Sequence, residues 1–301
     1  MEMDSVVSFF LVGFVASLVD GCLGMGFGPT SSSIMLATGV NPRTSVAMVN
    51  LAKIAGGGAS AVAHWRLGNI DRRLVARLAV PGCAGSLIGV AVLARFDADG
   101  IEPILHMLLI GMALRILWRF RTPPAGGGPG DDGPSGLDLR GAPALGLAGG
   151  VTNALIGAWG PVVTPYLLHR GLPARYAVGS VNTAEVAVAI VAAGSLFGSG
   201  GIDGIDAASA VAMLTGATVA APLAALVVRR LPVRGLGVAV AAMRLFTSTR
   251  GIATWAGWGS GRWLVYAAII VLVGLAVPGR RSRPDGSVPR RAQVVGPSLT
   301  D

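Results

Sequence analysis

Runs such as "SVVSFFLVGFVASLV" (residues 5–19), "LAVPGCAGSLIGVAVLA" (78–94), "ILHMLLIGMALRILW" (104–118), "AASAVAMLTGATVAAPLAALVV" (207–228) and "WLVYAAIIVLVGLAV" (263–277) constrain this chain more than anything else in it. Each approaches the ~20 residues that cross a bilayer as a helix. Lipid offers backbone amides no hydrogen bonds, so a spanning segment is a helix or part of a closed barrel. Unbroken apolar runs without period-2 alternation exclude the barrel. Only 13% of the residues are charged and the mean hydropathy is +0.66, so the expected fold is an all-α polytopic membrane protein embedded in a lipid bilayer.

The net charge of +9 does not point to nucleic acid, because the arginines are scattered between apolar runs and form no basic face with interleaved aromatics. The amino terminus "MEMDS" is acidic where a signal peptide is basic, and no small-residue cleavage site follows, so the first run is expected to be retained. Cys22 and Cys83 lie in apolar segments, and His64, His106 and His169 near segment ends. None has ligand spacing, so no metal or other cofactor is expected.

Residues 121–141, "RTPPAGGGPGDDGPSGLDLRG", read as a hydrophilic cytoplasmic linker between two halves that resemble each other. Sliding the chain against itself by 132 residues aligns residues 20–53 with 152–185 without a gap, and ten of the 34 positions are identical: Leu23, Gly28, Pro29, Leu36, Gly39, Arg43, Val46, Val49, Asn50 and Ala52. Chance in so biased a composition gives roughly 10%. The plan is a first membrane repeat over 1–120, the linker, a second repeat over 142–254, an extra span over 255–278 and a disordered basic cytoplasmic tail over 279–301.

Charge orients the repeat. The loop "HWRLGNIDRRLVAR" carries Arg66, Arg72, Arg73 and Arg77, whereas its counterpart "FGSGGIDGIDAA" carries Asp203, Asp206 and no base. Cytoplasmic loops are rich in Lys and Arg, so equivalent loops are expected on opposite faces of the membrane, as in the inverted-topology repeats of secondary transporters. The carboxyl terminus is then cytoplasmic.

Each repeat is expected to open with a broken helix or helical hairpin. "DGCLGMGFGPTSSS" and "VTNALIGAWGPVVTP" interrupt the first apolar segment of each half. Glycine and proline disfavour a helix interior, but proline suits a first turn, so Pro29 and Pro161 read as the N1 residues of new half-helices, with Gly28 and Gly160 before them. Ten-residue pieces from Pro29 and Pro161 reach only about 15 Å, half a hydrocarbon core. Two such tips near the midplane would offer helix-start N–H groups to an anion, with Thr30, Ser31, Ser32 and Thr164 adding hydroxyl donors. For Gly56, Gly57 and Gly58 the expected role is close helix packing.

Lys53, the only lysine, falls inside an apolar span. Its repeat counterpart is Glu185, and each follows an asparagine, Asn50 or Asn182, by three residues, which puts amide and charge on one helix face. Thr183 and Gly57 border those faces. A charge at the centre of a span costs about 2.5–3.5 kcal/mol on insertion scales, so both need partners. Two readings are open: Lys53 attracts an anionic substrate while Glu185 carries a coupling proton or pairs with Lys53 when the site is empty, or the two form a permanent ion pair between repeats. Asp20 reads as a cap on exposed backbone N–H groups or as a second coupling carboxylate. Arg244 sits in a weak span, "GLGVAVAAMRLFTSTRG", where a place on the substrate path and a misjudged span boundary are both open. Trp255, Trp258 and Trp263 read as an interface belt.

These motifs resemble the TauE/SafE sulfite exporter family, also called the toluenesulfonate uptake permease group, from about Gly13 to Leu231. The matching positions are Gly24, Gly26, Gly28 and Pro29 in the first half and Gly157, Gly160 and Pro161 in the second. The resemblance implies an inner-membrane transporter of small sulfur-containing anions such as sulfite, sulfonates or sulfoacetate. Phe27, Ala158 and Trp159 depart from the family pattern, and bulky aromatics at both tips would favour an organic sulfonate over sulfite. The expected function is therefore a secondary transporter working by alternating access, with no enzymatic activity. An anion channel and a non-transport membrane-assembly protein are the alternatives. These residues fit either a proton or sodium as coupling ion, and any oligomeric state.

Overall fold

Wherever the apolar runs fall on described residues they are helical, as a backbone surrounded by lipid must be. The computed structural model describes residues 2–23, 26–121, 140–198, 207–227, 233–258, 265–267 and 269, and no strand occurs among them. The helices are α1 (Glu2–Leu23), α2 (Phe27–Ala37), α3 (Pro42–Arg66), α4 (Arg72–Arg95), α5 (Ala98–Arg121), α6 (Ala142–Ile156), α7 (Gly160–His169), α8 (Ala174–Gly198), α9 (Ala207–Val227) and α10 (Val233–Trp255). Nearly all of the 121–141 linker, the acidic 201–206 loop, most of the 255–278 span and the 279–301 tail lie outside the described residues.

Among the described residues, four stretches are long and apolar enough to cross a membrane: Pro42–Arg66, Arg72–Arg95, Gly100–Trp118 and Arg175–Gly198. Only 33–39% of each is buried inside the protein. Large apolar side chains such as Val80, Met107 and Ile190 face outward, as lipid-contacting residues do. The chain is a polytopic helical membrane protein.

Local chemistry sets the helix limits. Asn41 and Asp71 cap α3 and α4 by accepting from the backbone N–H groups of Arg43, and of Arg73 and Leu74. The short helices α2 and α7 end in the same way: Gly39 (φ 83°) and Gly171 (φ 86°) take left-handed conformations that only glycine adopts without strain. Their N–H groups reach back to Leu36 and Leu168, and those of Val40 and Leu172 to Met35 and Leu167. Every member of this pair of motifs is 132 residues from its counterpart.

The helix starts differ slightly from expectation. α2 begins at Phe27 with Gly26 as its cap, which makes Pro29 the third helical residue, and α7 begins at Gly160, which makes Pro161 the second. Both prolines remain in the first turn, where an N–H would have no intrahelical partner, so the physical requirement is met with a shifted boundary.

The helices pair by exchange between halves. α1 packs on α9 and α4 on α6, while α3 packs on α8 and α5 on α10. Counted within each half, the first helix meets the other half's fourth, third meets third, and fifth meets fifth. Glycines bring the backbones together: a methyl on Gly13 would lie 2.1 Å from the Met213 carbonyl, and one on Gly150 2.0 Å from that of Gly82. Gly13 on Met213 and Ser17 donating to the Ala217 carbonyl at 2.8 Å make α1 and α9 run the same way. Gly146 on Leu78 and Gly150 on Gly82 do so for α4 and α6. Of the 56–58 triplet only Gly57 meets a neighbour, Val186, whereas Gly56 and Gly58 face open space, so the packing role expected for all three is confined to one.

Candidate functional site

The turns that interrupt the two opening segments come together at the centre of these pairings. Gly28, near the start of α2, lies against Gly157, the left-handed residue (φ 68°) that ends α6. A methyl on Gly28 would be 1.9 Å from the Gly157 carbonyl oxygen, so this is backbone on backbone. The Ser32 hydroxyl straps the tips by donating to the Ile156 carbonyl at 3.1 Å.

Lys53 reaches this junction from α3. Its ammonium donates to the Gly157 carbonyl at 2.6 Å, to Asn153 Oδ1 at 2.8 Å and to Glu185 Oε1 at 2.6 Å. An ammonium has three donors, and all are used. Asn153 passes the network on by donating to Asn50 Oδ1 at 2.8 Å, and Asn50 donates to the Val46 carbonyl at 2.8 Å. Lys53 is 9% exposed, and the Glu185 side chain 16%. Because residues 53 and 185 are repeat counterparts 132 apart, their contact lies where the two halves exchange. The α3–α8 crossing is closed farther along by Asn182 donating to the Ser60 hydroxyl at 3.0 Å. Thr183 turns its hydroxyl back to the Gly179 carbonyl at 2.7 Å.

At the first tip, Asp20 Oδ1 accepts the N–H groups of Gly26 at 2.6 Å and Phe27 at 3.1 Å. It is the cap that one of its two readings called for, and it places the chain's own carboxylate at the amino-terminal start of α2. Arg244 approaches from α10, fully buried, and its Nη2 donates to the Gly26 carbonyl at 3.0 Å and to the Thr30 hydroxyl. The Ser31 hydroxyl is spent within α2, on the Phe27 carbonyl at 2.7 Å and that of Gly28 at 3.0 Å. Gly24 lies outside the described residues.

The second tip is more apolar. Trp159 is completely buried, with its indole N–H on the Val181 carbonyl at 3.1 Å, and a methyl on Gly82 or Gly149 would run into its ring. Gly160 opens α7 beside it, and Thr164 is buried one turn on. Thr152, the counterpart of Asp20, donates to the Ala158 carbonyl at 2.9 Å. Asn153 is the polar group at the junction that the sequence reading did not single out, and Arg244, for which it left a place on the substrate path or a misjudged span boundary open, lies within α10 and meets the first tip. Asn153 is an uncharged amide among small residues, and Arg244 lies 218 positions from the glycine it touches. Among the described residues no group of three or more His, Cys, Asp or Glu gathers as metal ligands would.

The arrangement gathers two buried cations, Lys53 and Arg244, and two half-buried carboxylates, Asp20 and Glu185, around a junction of two broken segments. A family model described as Sulfite exporter TauE/SafE matches residues 9–251. A probable membrane transporter protein of Bacillus subtilis (strain 168), YtnM, is 33% identical over 279 residues, which cover 89% of this chain and 89% of that protein. The probable membrane transporter protein ORF9 of a Sinorhizobium species is 27% identical over 105 residues, 35% of this chain and 40% of that protein. No solved structure matches the chain significantly.

Proposed function

The chain belongs to the sulfite exporter TauE/SafE family and is a multi-pass membrane transporter, and from this premise we propose that it is a secondary transporter. It carries a small sulfur-containing anion, a sulfite, sulfonate or sulfoacetate, across the inner membrane by alternating access around the two tips. The halves are inverted relative to one another, with the linker and carboxyl terminus in the cytoplasm. The parallel course of α1 with α9 and of α4 with α6 supports this, because helices alternate in direction along a chain of hairpins.

The observation that carries the reading is the Lys53 ammonium, bonded at once to the second tip through Gly157 and Asn153 and to Glu185 of the opposite half. An anion that takes the ammonium displaces the Glu185 carboxylate. Glu185, freed from Lys53, is the group that carries the coupling proton. Anion and proton then move together, and the contact between tips and α3–α8 crossing changes with them. Aromatic bulk at the tips, Phe27 and Trp159, suits a sulfonate with a small organic group.

Uptake of labelled sulfite or methanesulfonate into proteoliposomes tests this. An imposed proton gradient is expected to drive accumulation by the wild type. Lys53→Met is expected to insert normally and lose that flux, and Glu185→Gln to exchange anion without accumulating it. Conduction that ignores the proton gradient would make the protein a channel.

A further inference from the structure

Arg244 carries more unmet hydrogen-bonding capacity than any other group in the described membrane helices. A guanidinium has five N–H donors. Nη2 uses two, on Gly26 and Thr30, while Nε and Nη1, with the other three, find no hydrogen-bond partner among the described residues although Arg244 is 0% exposed. It forms no ion pair there either: Asp20, on the other side of the Gly26 peptide, acts on it electrostatically, but its Oδ1 accepts the backbone N–H groups of Gly26 and Phe27. Buried polar groups are paired in the great majority of cases, and a permanently charged one left open is a place where something else binds.

Unpartnered polar atoms continue along one face of α10. Ser248, one turn beyond Arg244, is buried with its hydroxyl unpartnered. Another turn on, Gly251 rests on His106 of α5, both of whose ring nitrogens lack a hydrogen bond, with Nε2 3.5 Å from Glu102 Oε1. Five of the seven buried side-chain nitrogen and oxygen atoms without a partner among the described residues belong to this one seam, which makes it a local feature of the fold.

We propose that Arg244 is the residue that receives the transported anion in this conformation, holding a compact oxyanion on its Nε and Nη1 donors beside the start of α2, with the Ser248 hydroxyl as a further donor. The inference rests on the reading of the protein as an anion transporter and refines it. Lys53 has all three donors engaged and Arg244 has three idle, so the anion meets Arg244 first and Lys53 only after Glu185 lets go. Thr30 and Gly26 fix the guanidinium in place through Nη2, which leaves its remaining donors oriented before the anion arrives.

Sulfite and methanesulfonate are the probes. Dissociation constants are measured on the purified protein, and half-saturating concentrations for gradient-driven uptake in proteoliposomes, for the wild type and for Arg244→Gln, Arg244→Lys and Ser248→Met. Arg244→Gln is expected to raise both constants by about tenfold or more, the loss of a charge-assisted contact, with Arg244→Lys recovering part of it. Ser248→Met keeps the charge, replaces the hydroxyl beside it with a larger apolar side chain, and is expected to weaken binding likewise. If Arg244→Gln does not fold, Ser248→Met decides by the same criterion. Wild-type constants in these variants overturn the inference and leave the transporter standing; a wild type that neither binds nor takes up either probe overturns both.

Discussion

At the first tip the turn between α1 and α2 is held by a charge, and at the second the turn between α6 and α7 is held by a hydroxyl. Asp20 accepts the N–H of Gly26, and 132 residues on Thr152 donates to the carbonyl of Ala158. The backbone plan is shared, down to the left-handed Gly39 and Gly171 that close the two short helices. The chemistry is not. Thr30, Ser31 and Ser32 at the first tip stand where the second has Val162, Val163 and Thr164, and Arg244 reaches only the first tip, since its own counterpart on α5 is Met112. The two tips share a backbone plan and differ in a few side chains, so the first gathers hydroxyls and a guanidinium while the second is lined largely by apolar residues.

The sharpest way to break the comparison is at Lys53 and Glu185, where the halves carry opposite charges at equivalent positions. Removing one partner of a buried pair leaves the other uncompensated, and Lys53→Met should cost about 3–5 kcal/mol, seen as a lowered Tm of the purified protein. The double variant Lys53→Met with Glu185→Gln should recover most of that loss. A double variant no more stable than Lys53→Met would mean that the ammonium matters through Gly157 and Asn153 and that Glu185 contributes little.

Next in size is the contact between tips. A methyl on Gly28 meets the Gly157 backbone, which no rotamer change can relieve, whereas a methyl on Gly26 meets nothing closer than the Val19 side chain at 3.3 Å, with Arg244 Nη2 at 3.6 Å and the Thr30 hydroxyl at 3.8 Å in ordinary contact. Gly28→Ala should destabilise by roughly 3 kcal/mol and Gly26→Ala by well under 1. Equal melting temperatures for the two variants would separate the tips and remove the structural basis for coupling the halves.

How much of this was legible beforehand follows from the range of each signal. Apolar runs and glycine–proline breaks are local, so the helices and the two short pieces could be read directly. Even the meeting of Lys53 with Glu185 follows from the 132-residue shift, because counterparts at an exchange point must face each other. The partners of Lys53 in α6 could not be read that way: Asn153 and the Gly157 carbonyl have no charge or periodicity to mark them. Nor could the fate of the hydroxyls. Ser31 looks like an anion donor in sequence, and in a helix it bonds its own preceding turn. The packing of Gly57 but not Gly56 or Gly58 depends on the α3–α8 crossing, which a run of three glycines does not encode.

The difference at the turn itself can be tested by giving the first tip the second tip's residue. Asp20→Thr removes a charged acceptor from two backbone N–H groups and should cost about 2 kcal/mol. The same change vacates the helix start for an exogenous anion, so sulfite should bind more tightly even as the Tm falls. A loss of stability together with a loss of sulfite binding would make Asp20 part of the binding machinery, and the comparison with Thr152 would then be one of backbone alone.

The smallest effect is expected at the aromatic counterparts Phe27 and Trp159. Phe27 is half-buried, while Trp159 is enclosed, its ring filling the space that Gly82 and Gly149 leave and its N–H reaching Val181. Trp159→Phe makes the two tips alike. It removes one neutral hydrogen bond and part of a ring, which should lower stability by about 1 kcal/mol, a shift of a few degrees in Tm. The informative readout is selectivity: with the indole gone, larger sulfonates should gain relative to sulfite in competition for uptake, because the wall of the second tip recedes. If the ratio is unchanged, Trp159 is packing between α6, α7 and α8 and the anion is met by the first tip alone, which would carry the asymmetry of the two halves further than the residue differences by themselves imply.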